Sequence, residues 1–212
     1  FVHTWGGKSY LNHLSLNHLS NRESVSIATY LLGTGVVDSA IEELIIEKTE
    51  GVPFFIEEFV KSLIDLKIIV MKDSQWYLAK DVQKLSIPST VQDMIMAKID
   101  LLPERAKEAL QMGSAIGREF GNELIKRTTD FSERDLLSYL SAVKDSELIY
   151  ERGVFPNSVY VFKHALVQDV VYQTLLESTR QKYHRKIAQV LEEGFPKTVE
   201  ANPELLGHHF SG

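Results

Sequence analysis

Residues 132–162, SERDLLSYLSAVKDSELIYERGVFPNSVYVF, decide how the chain is read. Ser132 stands three residues before Asp135, the spacing at which a hydroxyl and a carboxylate satisfy backbone amides at a helix start. A helix to about Asp145 is expected from there. Two β-rich runs follow, Glu147-Leu148-Ile149-Tyr150-Glu151 and Ser158-Val159-Tyr160-Val161-Phe162, on either side of a loop holding Gly153, Pro156 and Asn157. Such runs around turn residues predict an antiparallel hairpin. Upstream, Ser89 with Gln92 repeats the capping spacing and Pro103 suits a first helical turn, so four helices are expected between about 89 and 145. Helices followed by a two-stranded wing are the arrangement of a winged helix.

The same punctuation continues toward the N-terminus. Ser20-Asn21-Arg22-Glu23 has capping-box spacing, predicting a helix to about Leu32 that Gly33 and Gly35 stop. Asp38 can cap the next helix, in which Ile41, Leu44, Ile45 and Lys48 recur at helical spacing while Glu42, Glu43, Glu47 and Glu50 form an acidic remainder. Gly51 ends it. Pro53 then opens a third helix whose Phe54, Phe55, Phe59, Val60, Leu63 and Ile64 make a broad apolar face. A hairpin is expected after it, from Ile68-Ile69-Val70-Met71 and Gln75-Trp76-Tyr77-Leu78 around Asp73 and Ser74. Residues 10–16 alternate as a short strand would, and with no initiator Met the chain reads as a piece of something larger.

Beyond His164 the pattern is helical again. One amphipathic stretch runs through Leu176 and a second from about Ser178 to Glu193, and Pro203 opens a short final piece. Two antiparallel helices of this kind resemble a helical-repeat unit, although one unit shows no period.

Composition narrows the function classes. The chain has 212 residues, 44% of them hydrophobic and 25% charged, with no cysteine and a net charge of -6. That length suits one large or two small domains with a core of their own. No apolar run approaches the roughly 18 residues of a membrane span. Absence of cysteine excludes disulfides and thiolate metal sites, and a cytoplasmic location is expected. The acidic balance opposes binding to phosphate backbones, so neither a membrane nor nucleic acid is an expected partner.

Several segments carry a resemblance to a known family. Thr49-Glu50-Gly51-Val52-Pro53-Phe54-Phe55-Ile56-Glu57-Glu58 resembles the T-x-G-x-P-h-F-h-E-E signature in the helical lid of signal-transducing P-loop ATPases of the STAND class. More specifically, it is similar to the AAA-like ATPase module fused to class III adenylate/guanylate cyclases and to some bacterial transcription regulators. Ile87-Pro88-Ser89-Thr90-Val91-Gln92, Ala97-Lys98-Ile99-Asp100-Leu101-Leu102-Pro103, and Ala115-Ile116-Gly117-Arg118-Glu119-Phe120 follow in the family's order. So do the segment from Phe162 to Tyr172 and Leu206-Gly207-His208-His209-Phe210.

The resemblance implies a mainly α fold with four parts. These are the trailing end of an ATPase core at 1–19, a three-helix lid at 20–67, a winged-helix domain with hairpins at 68–163, and a helical segment at 164–212 leading into TPR-like repeats. It also implies a regulatory role: coupling the ATP/ADP state of an upstream P-loop core to an effector domain in the same polypeptide, with further protein partners through downstream repeats. Catalytic residues are not expected in this segment, which would not be an enzyme itself although the full-length protein would be an ATPase, in some members fused to a nucleotide cyclase. Gly6-Gly7-Lys8-Ser9 copies the end of a P-loop, but Val2 stands where the first glycine belongs. ATP or ADP, with Mg held by the missing core, would be the cofactor of the whole protein and not of this piece alone.

Three positions are candidate nucleotide contacts. The Gly51-Val52-Pro53 turn brings backbone close at a helix start, and in related ATPases the matching proline packs on adenine; the alternative is a glycine stop followed by a proline start. His164 follows the second wing strand and resembles the histidine that reads the β-phosphate of ADP in related proteins. This chain has Phe162-Lys163-His164-Ala165 where plant and apoptotic members have Met-His-Asp. A neutral imidazole donates one hydrogen bond while a neighbour fixes its other nitrogen, and the alternative is a histidine that caps or packs beside the wing.

Other clusters read as structural. His208 and His209 are adjacent on a helix and expected to point apart, so no metal site is expected. Glu57 and Glu58 are expected to be solvated first-turn acids. Arg180, Lys182, Arg185 and Lys186 form a basic cluster expected on a solvated helix face. Two rival functions remain: a winged-helix DNA-binding regulator, against which Glu133, Asp135 and Asp145 outweigh Arg134 and Lys144, and a nucleotide-independent interaction scaffold.

Overall fold

The computed structural model describes residues 17–34, 37–73, 75–79, 90–202 and 204–211. The strand expected at 10–16, the Gly6-to-Ser9 motif, Gly35, Ser74, the capping box at Ser89 and the Pro203 helix start lie outside them. The fold is mainly α, with two small antiparallel sheets. No helix among the described residues is long and apolar enough to cross a membrane. The chain forms two compact units, 1–91 and 92–212.

In the first unit, α1 (Asn21–Leu31) opens on the expected capping box: Glu23 N–H donates to Ser20 Oγ and Ser20 N–H to Glu23 Oε2. Asp38 caps α2 (Ser39–Thr49), its carboxylate accepting from Ala40 N–H at 2.8 Å. Pro53 is the first residue of α3 (Pro53–Asp65), which buries Phe55, Ile56, Phe59, Val60 and Leu63 along one stripe. These pack with Ala28, Ile41 and Ile45 as the unit's core.

The expected hairpin forms from β1 (Ile69–Lys72) and β2 (Gln75–Leu78), with Lys72 opposite Gln75 and Asp73 at φ 50° in the turn. Its Trp76 indole donates to the Leu32 carbonyl at 3.0 Å, and Trp76 bridges Val37. The hairpin therefore belongs with the three helices, and the observed division falls at 91/92, whereas the sequence placed it at 67/68.

The second unit contains the four expected helices, α4 (Val91–Asp100), α5 (Glu104–Ile116), α6 (Asn122–Thr128) and α7 (Glu133–Asp145). The hairpin of β4 (Ile149–Arg152) and β5 (Val159–Phe162) follows. An unexpected strand, β3 (Glu119–Gly121), pairs with β5 and completes a sheet of order β3-β5-β4. Three residues are too few for alternation to be visible; the strand exists because β5 offers it an edge. Phe120 carries it into the core, where it lies between Tyr160 and Phe162. Gly113 of α5 lets the ring approach, since a Cβ there would sit 2.6 Å from the ring.

Both hairpins begin later than the sequence reading places them, for one reason. After α3, Lys67 adopts φ 55°, and the N–H groups of Lys67 and Ile68 donate back to Ile64 and Leu63. After α7, Glu147 adopts φ 57°, and Glu147 and Leu148 donate to Lys144 and Val143. These are Schellman endings, so the N–H of the first apolar residue of each run, Ile68 or Leu148, seals the helix, while its carbonyl accepts Ala79 or Lys163 N–H from the opposite strand end.

The C-terminal helices are α8 (Ala165–Gln173), α9 (Glu177–Gly194), α10 (Pro196–Ala201) and α11 (Glu204–Ser211). They are part of the second compact unit, so no unit boundary falls at 163/164. α8 packs on α5 and β5, whereas α9 packs on α5, α6, α10 and α11. The repeat-like pair expected from α8 and α9 is thus replaced by α9 with α11, because the apolar faces of α8 and α9 are taken up by α5.

Candidate functional site

The Gly51 turn grows out of the end of α2. Thr49, fully buried, donates its hydroxyl to the Ile45 carbonyl at 2.8 Å, and Glu50 and Gly51 take left-handed φ values of 48° and 72°. The Gly51 carbonyl accepts Leu19 N–H at 2.8 Å. A Cβ on Gly51 would lie 2.3 Å from the Leu19 carbonyl oxygen. Glycine is required here by conformation and by close backbone approach. Gly51→Ala is expected to cost at least ~2 kcal/mol, from left-handed strain plus displacement of the Leu19 backbone; a urea midpoint unchanged from the parent would contradict that packing.

Pro53 is exposed at the first position of α3, and Val52 before it makes no side-chain cap. His164 lies in the second unit, exposed, in extended conformation between β5 and α8. Its Nδ1 accepts Leu166 N–H at 3.3 Å, so the imidazole caps the helix. An Nδ1 used as an acceptor places the proton of a neutral ring on Nε2. Gly51 and Pro53 share one turn of the first unit, and His164 belongs to the other.

A different cluster in the second unit escaped the sequence reading. His208 and His209 of α11 both approach His184 of α9, with ring centroids 5.5 and 5.0 Å from it and 5.2 Å from each other. The expectation that adjacent helical positions diverge is corrected here: α11 packs on α9, and both neighbouring imidazoles come within ring contact of His184 and of each other. His184 Nδ1 lies 2.7 Å from His209 Nδ1, and His184 Nε2 is 2.9 Å from the Tyr172 hydroxyl. His184 and His209 are buried while His208 is exposed. Burial and the neighbouring imidazoles push His209 down to about 4, and burial with His208 lowers His184. Their partner is 24 residues from His208 and 25 from His209 in sequence, and only the histidines at 184, 208 and 209 themselves hinted at it.

The remaining charged groups are mostly engaged. Glu57 pairs with Lys61 at 3.1 Å, but Glu58 is only 3% exposed, against the expected solvated pair, because it shares the face of Phe55 and Phe59. In the basic cluster, Lys186 binds Asp130 at 2.8 Å, and the Arg180 guanidinium donates to the Leu175 carbonyl and lies 4.6 Å from the Tyr172 ring centroid. Lys126 pairs with Glu133, Arg127 with Glu123, Lys144 with Glu151 and Arg152 with Glu119. Four cations on α6, α7 and the second hairpin are therefore neutralised by local acids, which opposes a DNA-binding face.

Residues 20–76 match a family described as a domain of unknown function (DUF8739), a span that begins at the α1 cap and ends within β2. Over 146 residues, 67% of the chain, the sequence is 20% identical to hybrid signal transduction histidine kinase G of Dictyostelium discoideum. The chain spans 4% of that protein's length.

Proposed function

We propose that this chain is the regulatory segment of a cytoplasmic STAND-class ATPase, of the kind fused to nucleotide cyclases, in which a lid and a winged helix relay the ATP/ADP state of an upstream P-loop core to an effector domain. The observation that carries the reading is His164: an exposed imidazole after the last strand of a three-stranded wing, held by its own helix in the form that keeps the proton on Nε2. That form donates to a phosphate oxygen. The order α5, β3, α6, α7, β4, β5 supports the winged helix, and the relative's name places a related stretch in a large signalling protein.

In this mechanism ADP and Mg would be held by the core, with the Gly51-to-Pro53 turn of the first unit as candidate adenine contact and His164 of the second unit as candidate β-phosphate contact. Exchange for ATP alters those contacts, and the segment responds by the difference in affinity between its two states. The segment itself hydrolyses nothing.

The test uses the full-length protein with its core. His164→Asn keeps a helix-capping side chain but removes the imidazole, so melting should stay close to the parent. Loss of a hydrogen bond to charged phosphate, about 1.5–3 kcal/mol, should speed ADP release by roughly 10-fold or more. Unchanged ADP retention in both His164→Asn and Pro53→Ala would leave only an interaction scaffold.

A further inference from the structure

We infer that His184, His208 and His209 form a binding site for a divalent transition-metal ion of the zinc class, which fastens α11 to α9. One ring nitrogen from each of the three lies within 4.8 Å of the others. Tetrahedral coordination at about 2.0–2.1 Å from each nitrogen needs ligand atoms roughly 3.3 Å apart. Small side-chain rotations reach that from the observed spacing. Imidazole nitrogens are the borderline donors zinc prefers, and three of them with one open position is a recognised ligand set for that ion.

The surroundings supply what such a site needs beyond its ligands. Without metal, the 2.7 Å contact between the Nδ1 atoms of His184 and His209 requires a proton on one of them. Metal ligation by both nitrogens requires that proton to leave. His184 can then carry its proton on Nε2 and donate it to the Tyr172 hydroxyl, already 2.9 Å away. A ligand histidine held through its second nitrogen is oriented and made more basic. Arg180 over the Tyr172 ring holds that partner in place in turn. His184 and His208 also line a cleft of about 200 Å³ with Gln168 and Asp169, which gives an entry path and room for a water as fourth ligand.

Cobalt(II) and zinc(II) are the probes. The whole 212-residue chain, stripped with a chelator and dialysed, is titrated with cobalt, then with zinc. A single equivalent of cobalt should give the visible absorption bands of a tetrahedral site, and zinc should displace it and raise the melting temperature. His208 is exposed, so His208→Asn should keep the parent's circular dichroism while weakening zinc binding by ~10-fold or more. His18→Asn, outside the cluster, should bind as the parent does. Absence of the bands, or His208→Asn binding as tightly as the parent, would overturn the site. So would loss of binding in His18→Asn alone.

Discussion

Phe120→Ala is expected to destabilise the chain by ~3–5 kcal/mol, the range for removing a buried aromatic ring from a packed core. The ring is 1% exposed, stacked on Tyr160 at 5.7 Å between centroids and tilted against Phe162 at 5.9 Å. It also fills the depression over Gly113. Its removal therefore loses the transfer energy of the ring and leaves a cavity whose walls belong to α5, β3 and β5 at once. Against a typical total of about 5–15 kcal/mol, a loss of this size is a large fraction of the stability and lowers the unfolding midpoint in urea by roughly 1 M or more. If the variant lost less than ~1 kcal/mol, Phe120 would not be the key of the three-stranded sheet, and the placement of β3 would be wrong.

Acid should destabilise the metal-free chain through the histidine cluster. An unfolded histidine titrates near its ordinary 6.5, whereas His209 in the folded chain is pushed down to about 4. Between those values the unfolded state binds more protons, so stability rises with pH in this window. The contribution is complete above 6.5 and is lost as pH falls toward 4. His184 is shifted in the same direction by burial and His208, and the groups that lower His209 besides burial are the imidazoles of His184 and His208. From pH 7.5 to 5 the expected loss from His209 is ~2 kcal/mol, and the full window is worth ~3 kcal/mol. Urea unfolding at both pH values, with a chelator present, reads it. His209→Gln should flatten the slope. A parent protein equally stable at both values would mean that the ring contacts of α9 and α11 are absent in solution.

Local chemistry was enough to read most of the elements. The Ser20–Glu23 box, the Asp38 cap, the Pro53 start and the Ser132 cap each depend on groups within about one helical turn, so their outcome does not wait for the rest of the fold. Both hairpins were legible for the same reason, with turn residues set between β-branched and aromatic runs. The two-residue shift in the start of β4 shows the limit. Leu148 looks like a strand residue by type, but it acts as the hydrophobic closure of α7. Side-chain type alone does not separate those uses, because both bury an apolar residue next to a helix end.

At the candidate nucleotide contacts, the sequence identified positions whose local structure is clear. Gly51 is tied to Leu19, and His164 caps α8. Each therefore has a structural duty, compatible with a second one. The ADP and metal experiments read different residues, Pro53 and His164 in one case and His184, His208 and His209 in the other, so failure of one leaves the other standing.

Sequence by itself determined most of the helices, the caps at Ser20, Asp38 and Ser132, the two hairpins and the glycine turn, since each follows from residues a few positions apart, whereas α10 was not among the expected elements. Tertiary structure alone decided three things: that Glu119–Gly121 is a strand, that the first hairpin belongs with the three helices, and that the rings of His184, His208 and His209 gather in one cluster. The physical reason is common to all three. Each depends on an edge or a face offered by an element far along the chain, and no periodicity within a short window records the partner that will cover it.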